Sequence, residues 1–373
     1  MRTTLVLFTT PLVACRFEPL QMATVDLAPQ FGEEVHGLVW PLIPITWTFT
    51  EEFDPYEGLP LETGEFHVSD RFEWNRPFDE VLVSWCATVP TGAGLVVEVQ
   101  VDGGWLLDPG PTEDRRRTRE TSPWLYLGGW GEPLPVEERT VEFEGGRVAV
   151  DVLQCDRPFR AFRVRLSAIG ITDEPVVVHW ASACLTDRSV LAELDPGEPP
   201  VGGSVLEVPA ISQRSAPPEL APRICSPTSV AMVLAYHGVD APLEELAASI
   251  YDADHDIYGN WPRAVQAAYD HGAFGFLVRL SSWRAVEHFL EAGVPLVVSV
   301  GVEDGALRGA PYEETAGHLI VLTGFDADGR VLVNDPAAEE ASGVPREYYA
   351  EDLERCWMRR GGVAYAIGTR EDP

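Results

Sequence analysis

The chain has 373 residues, of which 45% are hydrophobic and 23% charged, a composition that indicates two globular domains and excludes an intrinsically disordered protein. Its formal net charge of −32 at pH 7 excludes binding to nucleic acid or to an anionic membrane surface through a basic patch. All 27 basic residues are arginine, which is typical of a GC-rich genome and indicates a bacterial source.

The first 15 residues combine one arginine, a short apolar run and the sequence Leu-Val-Ala-Cys, which ends at Cys15. This pattern resembles a bacterial lipoprotein signal, but a first strand of the domain explains it equally well, because Thr-Thr-Pro interrupts the apolar run. The location of the protein therefore stays open between secreted or lipid-anchored and cytoplasmic. No segment approaches the ~18 uninterrupted apolar residues of a membrane helix, so we expect no transmembrane segment.

Between residues 35 and 185 the sequence consists of short apolar or alternating segments separated by turns. Such spacing is typical of a β-sandwich, and we expect an all-β accessory domain whose ligand no motif identifies. The predicted strands are Glu80–Ala87, Gly94–Val101, Trp124–Leu127, Thr140–Glu144, Arg147–Leu153, Ala161–Leu166 and Val176–Ala183.

Residues 187–204 are rich in proline and glycine and predict a linker. The chain is thereby divided into a β domain at 1–186, with a possible signal at 1–15, and a second domain at 205–373. The six cysteines form no C-x-x-C pair and no Cys/His set with metal-ligand spacing. We therefore expect neither a metal nor a cofactor.

The second domain begins with a predicted helix whose first residues include a candidate catalytic residue. Ser226 is a suitable N-cap, Pro227 suits the first helical position, and Gly238 lies where the helix would end. Cys225 is then at a helix N-terminus, where unpaired N–H groups and the helix dipole favour a thiolate. This position predicts a cysteine nucleophile.

A cysteine nucleophile needs a base, and residues 317–336 supply one. An apolar strand at 317–325, a turn, and a returning strand at 331–333 predict a hairpin. His318 lies near the start of the first strand, and Asp335 follows the second.

The register of this hairpin decides whether the two side chains meet. If Phe325 pairs with Arg330, Asp335 lies opposite the residue two positions after His318, on the same face. His318 and Asp335 are then diagonal neighbours within reach of each other. Asn334 is an alternative orienter of the histidine, although strand alternation turns it to the opposite face.

These three blocks, Cys-Ser-Pro-Thr-Ser, Gly-His-Leu-Ile-Val-Leu-Thr-Gly-Phe and Val-Asn-Asp-Pro, resemble those of the papain-like peptidases that process bacteriocin leaders after a double glycine. The resemblance covers about residues 205–368. It implies that Cys225 is the nucleophile, His318 the base, Asp335 its orienter and Gln213 a donor to the oxyanion. Gln213 departs from the family in its long distance from the cysteine, and a polar loop residue remains the other interpretation.

The remaining elements indicate a papain-like α+β domain, with a helical half against an antiparallel sheet. We expect helices at Pro242–Ile250, Trp261–His271, Trp283–Ala292 and Arg346–Met358, and strands at Phe276–Leu280, Pro295–Val302 and Val363–Gly368. Gly259, Asn260, Trp261 and Gly317, with the loop Asp304–Thr315, are candidates for substrate binding in the cleft.

The sequence therefore predicts a cysteine peptidase that acts on a peptide or protein substrate through an acyl-enzyme. Taken singly, the cysteine, histidine and aspartate also fit structural roles, but one geometry explains all three. Two alternatives remain: an acyl transferase with the same thiol chemistry, as in the similar phytochelatin synthases, and a catalytically silent peptide- or glycan-binding protein.

Overall fold

The computed structural model describes residues 44–46, 58–103, 121–136 and 140–369. The possible signal segment with Cys15 lies outside these ranges. Within them the chain forms two antiparallel sheets, each from one half of the sequence, and the helices accompany the second sheet.

The first sheet is built from ten strands that share one continuous network of hydrogen bonds. Its central order is β1-β10-β4-β9-β5-β6, with β2, β3, β7 and β8 pairing at the sides. The region is all-β as predicted; the division into two sandwiched layers stays a prediction. The strands are β1 (Pro44–Thr46), β2 (Leu59–Leu61), β3 (Phe66–Val68), β4 (Phe72–Thr88), β5 (Ala93–Asp102), β6 (Leu125–Gly131), β7 (Thr140–Phe143), β8 (Gly146–Ala149), β9 (Val152–Gly170) and β10 (Val176–Thr186).

One predicted strand is broken in the structure. Residues 147–153 form the end of β8, a two-residue turn at Val150 and Asp151, and the start of β9. Val150 has a φ of 59°, a left-handed conformation that β-branched residues rarely adopt. The sequence lacks the glycine or asparagine that normally marks such a turn, so the break was not predictable from the local pattern.

The second sheet has the order β11-β16-β12-β13-β14-β15, and all its neighbouring strands are antiparallel. Helices α1 to α3 pack on one face, and α4 and α5 contribute to the hydrophobic cluster on the other, which confirms the predicted α+β class. The elements are α1 (Cys225–Tyr236), α2 (Leu243–Ile250), α3 (Trp261–Asp270), β11 (Ala273–Arg279), α4 (Trp283–Glu291), β12 (Leu296–Val302), β13 (Thr315–Phe325), β14 (Val331–Asn334), β15 (Pro345–Tyr348), α5 (Ala350–Cys356) and β16 (Val363–Thr369).

The predicted late helix over residues 346–358 is wrong for its first four residues. Pro345–Tyr348 is instead the edge strand β15, which pairs with β14, and the helix begins only at Ala350. The available strand edge of β14 decides this, since a propensity for helix is weak compared with pairing in a sheet. Among the helices of the described ranges we find no candidate for a membrane span.

The two sheets are joined by a shared buried core. Along β4, Val81, Val83 and Trp85 point into the core of the first sheet, whereas Leu82 and Cys86 belong to the cluster that also contains α1 and α3. Both faces of β4 are therefore buried: one lies in the core of the first sheet, and the other packs against the second half of the chain.

Side chains of the first sheet form hydrogen bonds with free backbone groups along the edge strand β11. Ser84 accepts the N–H of Leu277 at 3.0 Å, the thiol of Cys86 donates to the carbonyl of Gly275 at 3.2 Å, and the thiol of Cys184 donates to the carbonyl of Leu277 at 3.3 Å. A sheet edge needs such partners when it is buried. Two cysteines of the β domain thus have a structural role.

Two further polar contacts fasten the halves together. The side-chain amide of Gln266 on α3 pairs with the N–H and the carbonyl of Ala87, both at 2.8 Å. Arg279 and Glu80 form a buried ion pair. The two halves are therefore in extensive contact, and the exact boundaries at 186 and 204 stay a prediction.

We expect Ser84→Ala to lower the free energy of unfolding by roughly 1–3 kcal/mol, because it leaves the buried N–H of Leu277 without its acceptor. The measurement is chemical unfolding of the full chain. Ser249→Ala on α2 is the matched control, since that hydroxyl binds only a helical carbonyl, that of Leu246, and its loss should cost less than about 0.5 kcal/mol. Equal effects at the two serines would contradict the role assigned to Ser84.

Candidate active site

Cys225 is the first residue of α1, and the helical hydrogen bonds begin one residue earlier. The N–H of Thr228 donates to the carbonyl of Ile224 at 3.0 Å, so Ile224 is the N-cap. The interpretation of Ser226 as the N-cap is therefore wrong: its hydroxyl lies inside the first turn, 3.2 Å from that of Tyr365 on β16. Cys225 still lies at the helix N-terminus, where N–H groups lack helical partners.

The first part of α1 is buried on all sides. Residues 226–234 are all buried, because β13 lies on one side and α2 and α3 on others. The hydroxyl of Ser229 donates to the carbonyl of Leu319 on β13 at 3.0 Å. This packing holds Cys225 against the strand that carries His318.

The hairpin of β13 and β14 differs from the predicted register near its turn. Phe325 pairs with Val331 rather than with Arg330. An extra residue in β13 between Leu322 and Gly324 forms a bulge, and beyond it the strands are in the predicted register. The shift at the turn and the bulge compensate for each other, so the residues at the His318 end of the hairpin pair as predicted.

His318 and Asp335 are hydrogen-bonded, with Nε2 of the histidine 2.8 Å from Oδ1 of the aspartate. The histidine is 6% exposed and the aspartate 0%, so water has little access to the bond. The imidazole also interacts electrostatically with Cys225, and because Nε2 binds the carboxylate, Nδ1 is the nitrogen left for that interaction. The structure thus brings together Cys225, His318 and Asp335, called the triad below.

The charges of the triad oppose the effect of burial. Burial raises the pKa of the Cys225 thiol, but His318 and the N–H groups of Leu319 and Ser226 outweigh it and lower the pKa below its ordinary value. Burial lowers the pKa of His318, but the Cys225 thiolate and Asp335 raise it to about 10. Both directions favour a thiolate–imidazolium pair at neutral pH, the reactive form of a cysteine nucleophile.

Two tyrosines that the sequence analysis did not identify also bind Asp335. The hydroxyls of Tyr312 and Tyr348 donate to its Oδ2 at 3.0 and 2.7 Å, and the N–H of Ala337 donates to Oδ1 at 3.0 Å. Burial raises the pKa of Asp335, but the bonds from His318, Ala337 and Tyr348 hold it below its ordinary value. A carboxylate with this many donors stays ionised in the interior.

The segment before Gln213 runs along the hairpin. It begins at the hairpin turn, where the N–H of Gly202 donates to the carbonyl of Asp326 at 2.7 Å. It ends beside Asp335, where the N–H of Gln213 donates to the carbonyl of Pro336 at 2.9 Å. This route explains how Gln213 reaches the site although a long proline-containing stretch separates it from the cysteine.

The side chain of Gln213 is buried between two parts of the site. Its Nε2 donates at 2.8 Å to the carbonyl of Ala221, which starts the short 3-10 turn that leads to Cys225, and one amide hydrogen remains for another acceptor. In the described part of the chain its Oε1 is buried without a hydrogen-bond partner. Asn334, the alternative orienter, instead donates to the carbonyl of Val208 at 2.9 Å. The role of Gln213 at the oxyanion stays a prediction.

Asn260 and Trp261, predicted to bind substrate, make contacts that serve the fold. The Oδ1 of Asn260 caps α3 by accepting the N–H of Arg263 at 3.3 Å, and its Nδ2 donates to Asp252 at 2.8 Å. The N–H of Trp261 donates to the carboxylate of Asp151, in the first half of the chain, at 2.9 Å. Burial raises the pKa of Asp151 to about 6. The Asn260 side chain is thus committed to structure, and binding of substrate here stays a prediction.

The two glycines predicted to bind substrate border open space. A side-chain carbon added at Gly259 or Gly317 would meet no atom within 4 Å. Gly317 directly precedes His318 on β13, and its N–H is held by the hydroxyl of Thr315 at 3.3 Å. Gly317 therefore lies next to the triad, whereas Gly259 lies just before α3.

Comparison with known proteins bears on the C-terminal half of the chain. Residues 205–365 match the model of the Peptidase_C39 like family. The match covers less than half of the chain and shows that this segment is similar to that family. The match confirms the predicted resemblance to this peptidase family and the predicted papain-like fold of the domain.

One solved structure is similar to part of the chain. The chain is similar to the structure described as "Crystal structure of a double glycine motif protease from AMS/PCAT transporter in complex with the leader peptide". The identity is 22% and the TM-score 0.32, over 47% of this chain and 100% of that chain, and a likeness of this size carries no functional argument. A search of curated proteins gives no match.

We expect Cys225 to be alkylated first when the folded protein is treated with iodoacetamide at neutral pH. Its pKa is lowered, whereas burial raises the pKa of Cys155 and of Cys184 to about 12 and also raises that of Cys356. Mass mapping of the labelled peptides measures the order. His318→Ala should slow the labelling of Cys225 because the thiolate loses its countercharge, and an unchanged rate in that variant would contradict the ion pair.

Proposed function

We propose that the protein is a cysteine peptidase that cleaves a peptide or amide bond through an acyl-enzyme on Cys225. The observation that carries this proposal is the arrangement of the triad: a half-buried cysteine at a helix N-terminus interacts electrostatically with a histidine, and Nε2 of that histidine binds a buried carboxylate. The similarity of residues 205–365 to the Peptidase_C39 like family supports it.

In the first half of the reaction, the Cys225 thiolate attacks the carbonyl carbon of the substrate. The carbonyl oxygen becomes an oxyanion, for which the backbone N–H of Cys225 and the free amide hydrogen of Gln213 are the candidate donors. The His318 imidazolium then gives its Nδ1 proton to the leaving amine, and the C–N bond breaks. A thioester on Cys225 remains.

In the second half, water replaces the amine. His318, now neutral, accepts a proton from the water as its oxygen attacks the thioester carbon. The C–S bond breaks, the carboxylic acid leaves, and the thiolate and imidazolium are restored. Asp335 keeps the imidazole in one tautomer throughout, because its Oδ1 holds the Nε2 proton.

An acyl transferase shares every step up to the thioester and differs only in the acceptor. Incubation of the protein with a complex peptide mixture, with and without an added amine, distinguishes the two. Products that gain the mass of water indicate a peptidase, and products that gain the mass of the amine at the expense of water indicate transfer.

Cys225→Ala and His318→Ala should each abolish product formation while the unfolding free energy stays close to that of the wild type, because the two side chains act as one unit. Asp335→Asn should keep a small residual rate, since the thiol and the imidazole remain. Mass spectrometry of the peptide products is the readout. Wild-type turnover by Cys225→Ala would overturn the assignment of the nucleophile.

Gln213→Ala tests the oxyanion donor. If Gln213 acts on the oxyanion, kcat should fall by roughly 10²–10³-fold with little change in the melting temperature. If its amide only links the turn at Ala221 to the hairpin, the melting temperature should fall, and kcat of the folded protein should stay close to the wild-type value. The ratio of these two effects decides between the two roles.

A further inference from the structure

The Asp335 carboxylate is bound on both oxygens, and the two oxygens have different partners. Oδ1 accepts from His318 and from the N–H of Ala337. Oδ2 accepts two hydroxyl bonds, from Tyr312 at 3.0 Å and from Tyr348 at 2.7 Å. With one oxygen held by two phenols, the carboxylate cannot rotate without breaking both bonds.

Tyr312 reaches the site from the loop between β12 and β13. Its ring also packs edge-on against the His318 imidazole, with ring centres 4.8 Å apart and planes at 68°. The loop is anchored by Arg308, whose backbone N–H and guanidinium bind the fully buried Asp352 of α5 at 2.8 to 3.1 Å. The Arg346 guanidinium adds a bond to the carbonyl of Gly309 at 2.8 Å.

Tyr348 reaches the site from the opposite side, at the end of β15. It is fully buried and is held by pairing of its strand with β14 at Val331. Burial and the adjacent carboxylate raise the pKa of Tyr348 and of Tyr312, so both hydroxyls keep their protons and act as donors. The two tyrosines thus come from separate elements to the same oxygen.

We propose that Tyr312 and Tyr348 are positioning residues that fix the Asp335 carboxylate so that it holds the His318 imidazolium opposite the Cys225 thiolate. The inference rests on the proposed function. Both hydroxyls bind Oδ2 of Asp335, and they act through this carboxylate on the stability of the ion pair.

The expected consequence is a change in the pH range over which the ion pair exists. An oriented Asp335 stabilises the imidazolium; when the orientation is lost, the pKa of His318 falls, and the thiolate then loses part of its countercharge, so the pKa of Cys225 rises. Among the described residues, Asp335 after β14 acts on His318, whereas Tyr312 before β13 and Tyr365 on β16 interact with Cys225. Tyr348 on β15 acts on Asp335, and Arg346 on the same strand acts on Tyr348.

The experiment measures the rate of Cys225 alkylation by iodoacetamide from pH 3 to 11 in the full chain, which requires no substrate. In the wild type we expect two steps, a lower one where Cys225 loses its proton and an upper one where His318 loses its proton. Tyr348→Phe and Tyr312→Phe should each move the lower step up and the upper step down by about half a pH unit or more, and the double variant should move them further.

Tyr251→Phe is the matched control, because its hydroxyl binds the carboxylate of Asp256 at 2.8 Å on the surface, outside the triad. It should leave both steps unchanged. Steps that stay in place in Tyr348→Phe and Tyr312→Phe, or that move apart, would overturn the positioning role, since moving apart means that the hydroxyls weaken the pairing of Asp335 with His318. Tyr312→Phe keeps the test valid if the buried Tyr348→Phe variant does not fold.

The same titration separates failure of this inference from failure of the proposed function. A wild-type Cys225 that titrates in one step near the ordinary thiol pKa has no ion pair, which contradicts the peptidase mechanism itself. Two wild-type steps that the tyrosine variants do not move leave the mechanism intact and reject only the positioning role.

Discussion

A carboxylate with no exposed surface is stable as an anion only when donors surround it, and the neighbourhood of Asp335 is built around this requirement. Its donors come from β13, the loop after β14, the loop before β13, and β15. Those elements must all be in place before the charge is satisfied. The same bonds direct one nitrogen of His318 to Asp335 and leave the other for Cys225. The hydrogen bonds that stabilise the buried charge therefore also assemble the triad.

The second constraint is the edge of the second sheet. β11 ends that sheet, yet it lies in the interior, where its free N–H and carbonyl groups need partners. Ser84, Cys86 and Cys184 supply them from the β domain. A side-chain hydroxyl and two thiols thus replace a neighbouring strand, and this explains why buried cysteines with no metal-ligand spacing lie on β4 and β10.

The segment between the two sheets contributes to the site as well. Its hydrogen bonds along the hairpin start at Gly202 and end at Gln213, beside the loop that contains Asp335. From there the Gln213 amide binds Ala221, directly before the helix of the cysteine. The segment therefore connects the histidine and cysteine sides of the site, and Asn334 serves it by binding the carbonyl of Val208.

Elements whose signals are local were predictable from the sequence. Cys225 at the start of a helix, the hairpin with His318 and Asp335, and the helix capped by Ser282 and ended by Gly293 all follow from residues close together in the chain. Side-chain alternation and capping depend on neighbours within a few positions, so one sequence contains the necessary information.

Contacts between groups far apart in the chain were not predictable from the sequence. The bulge that restores the hairpin register, the strand conformation of the segment with Tyr348, and the approach of Tyr312 to His318 have no local signal. A segment with helical propensity becomes a strand when a sheet edge is available, and a loop tyrosine becomes a donor when a buried charge lies within reach. These outcomes depend on burial and on contacts between residues far apart in the chain, which the order of amino acids does not display directly.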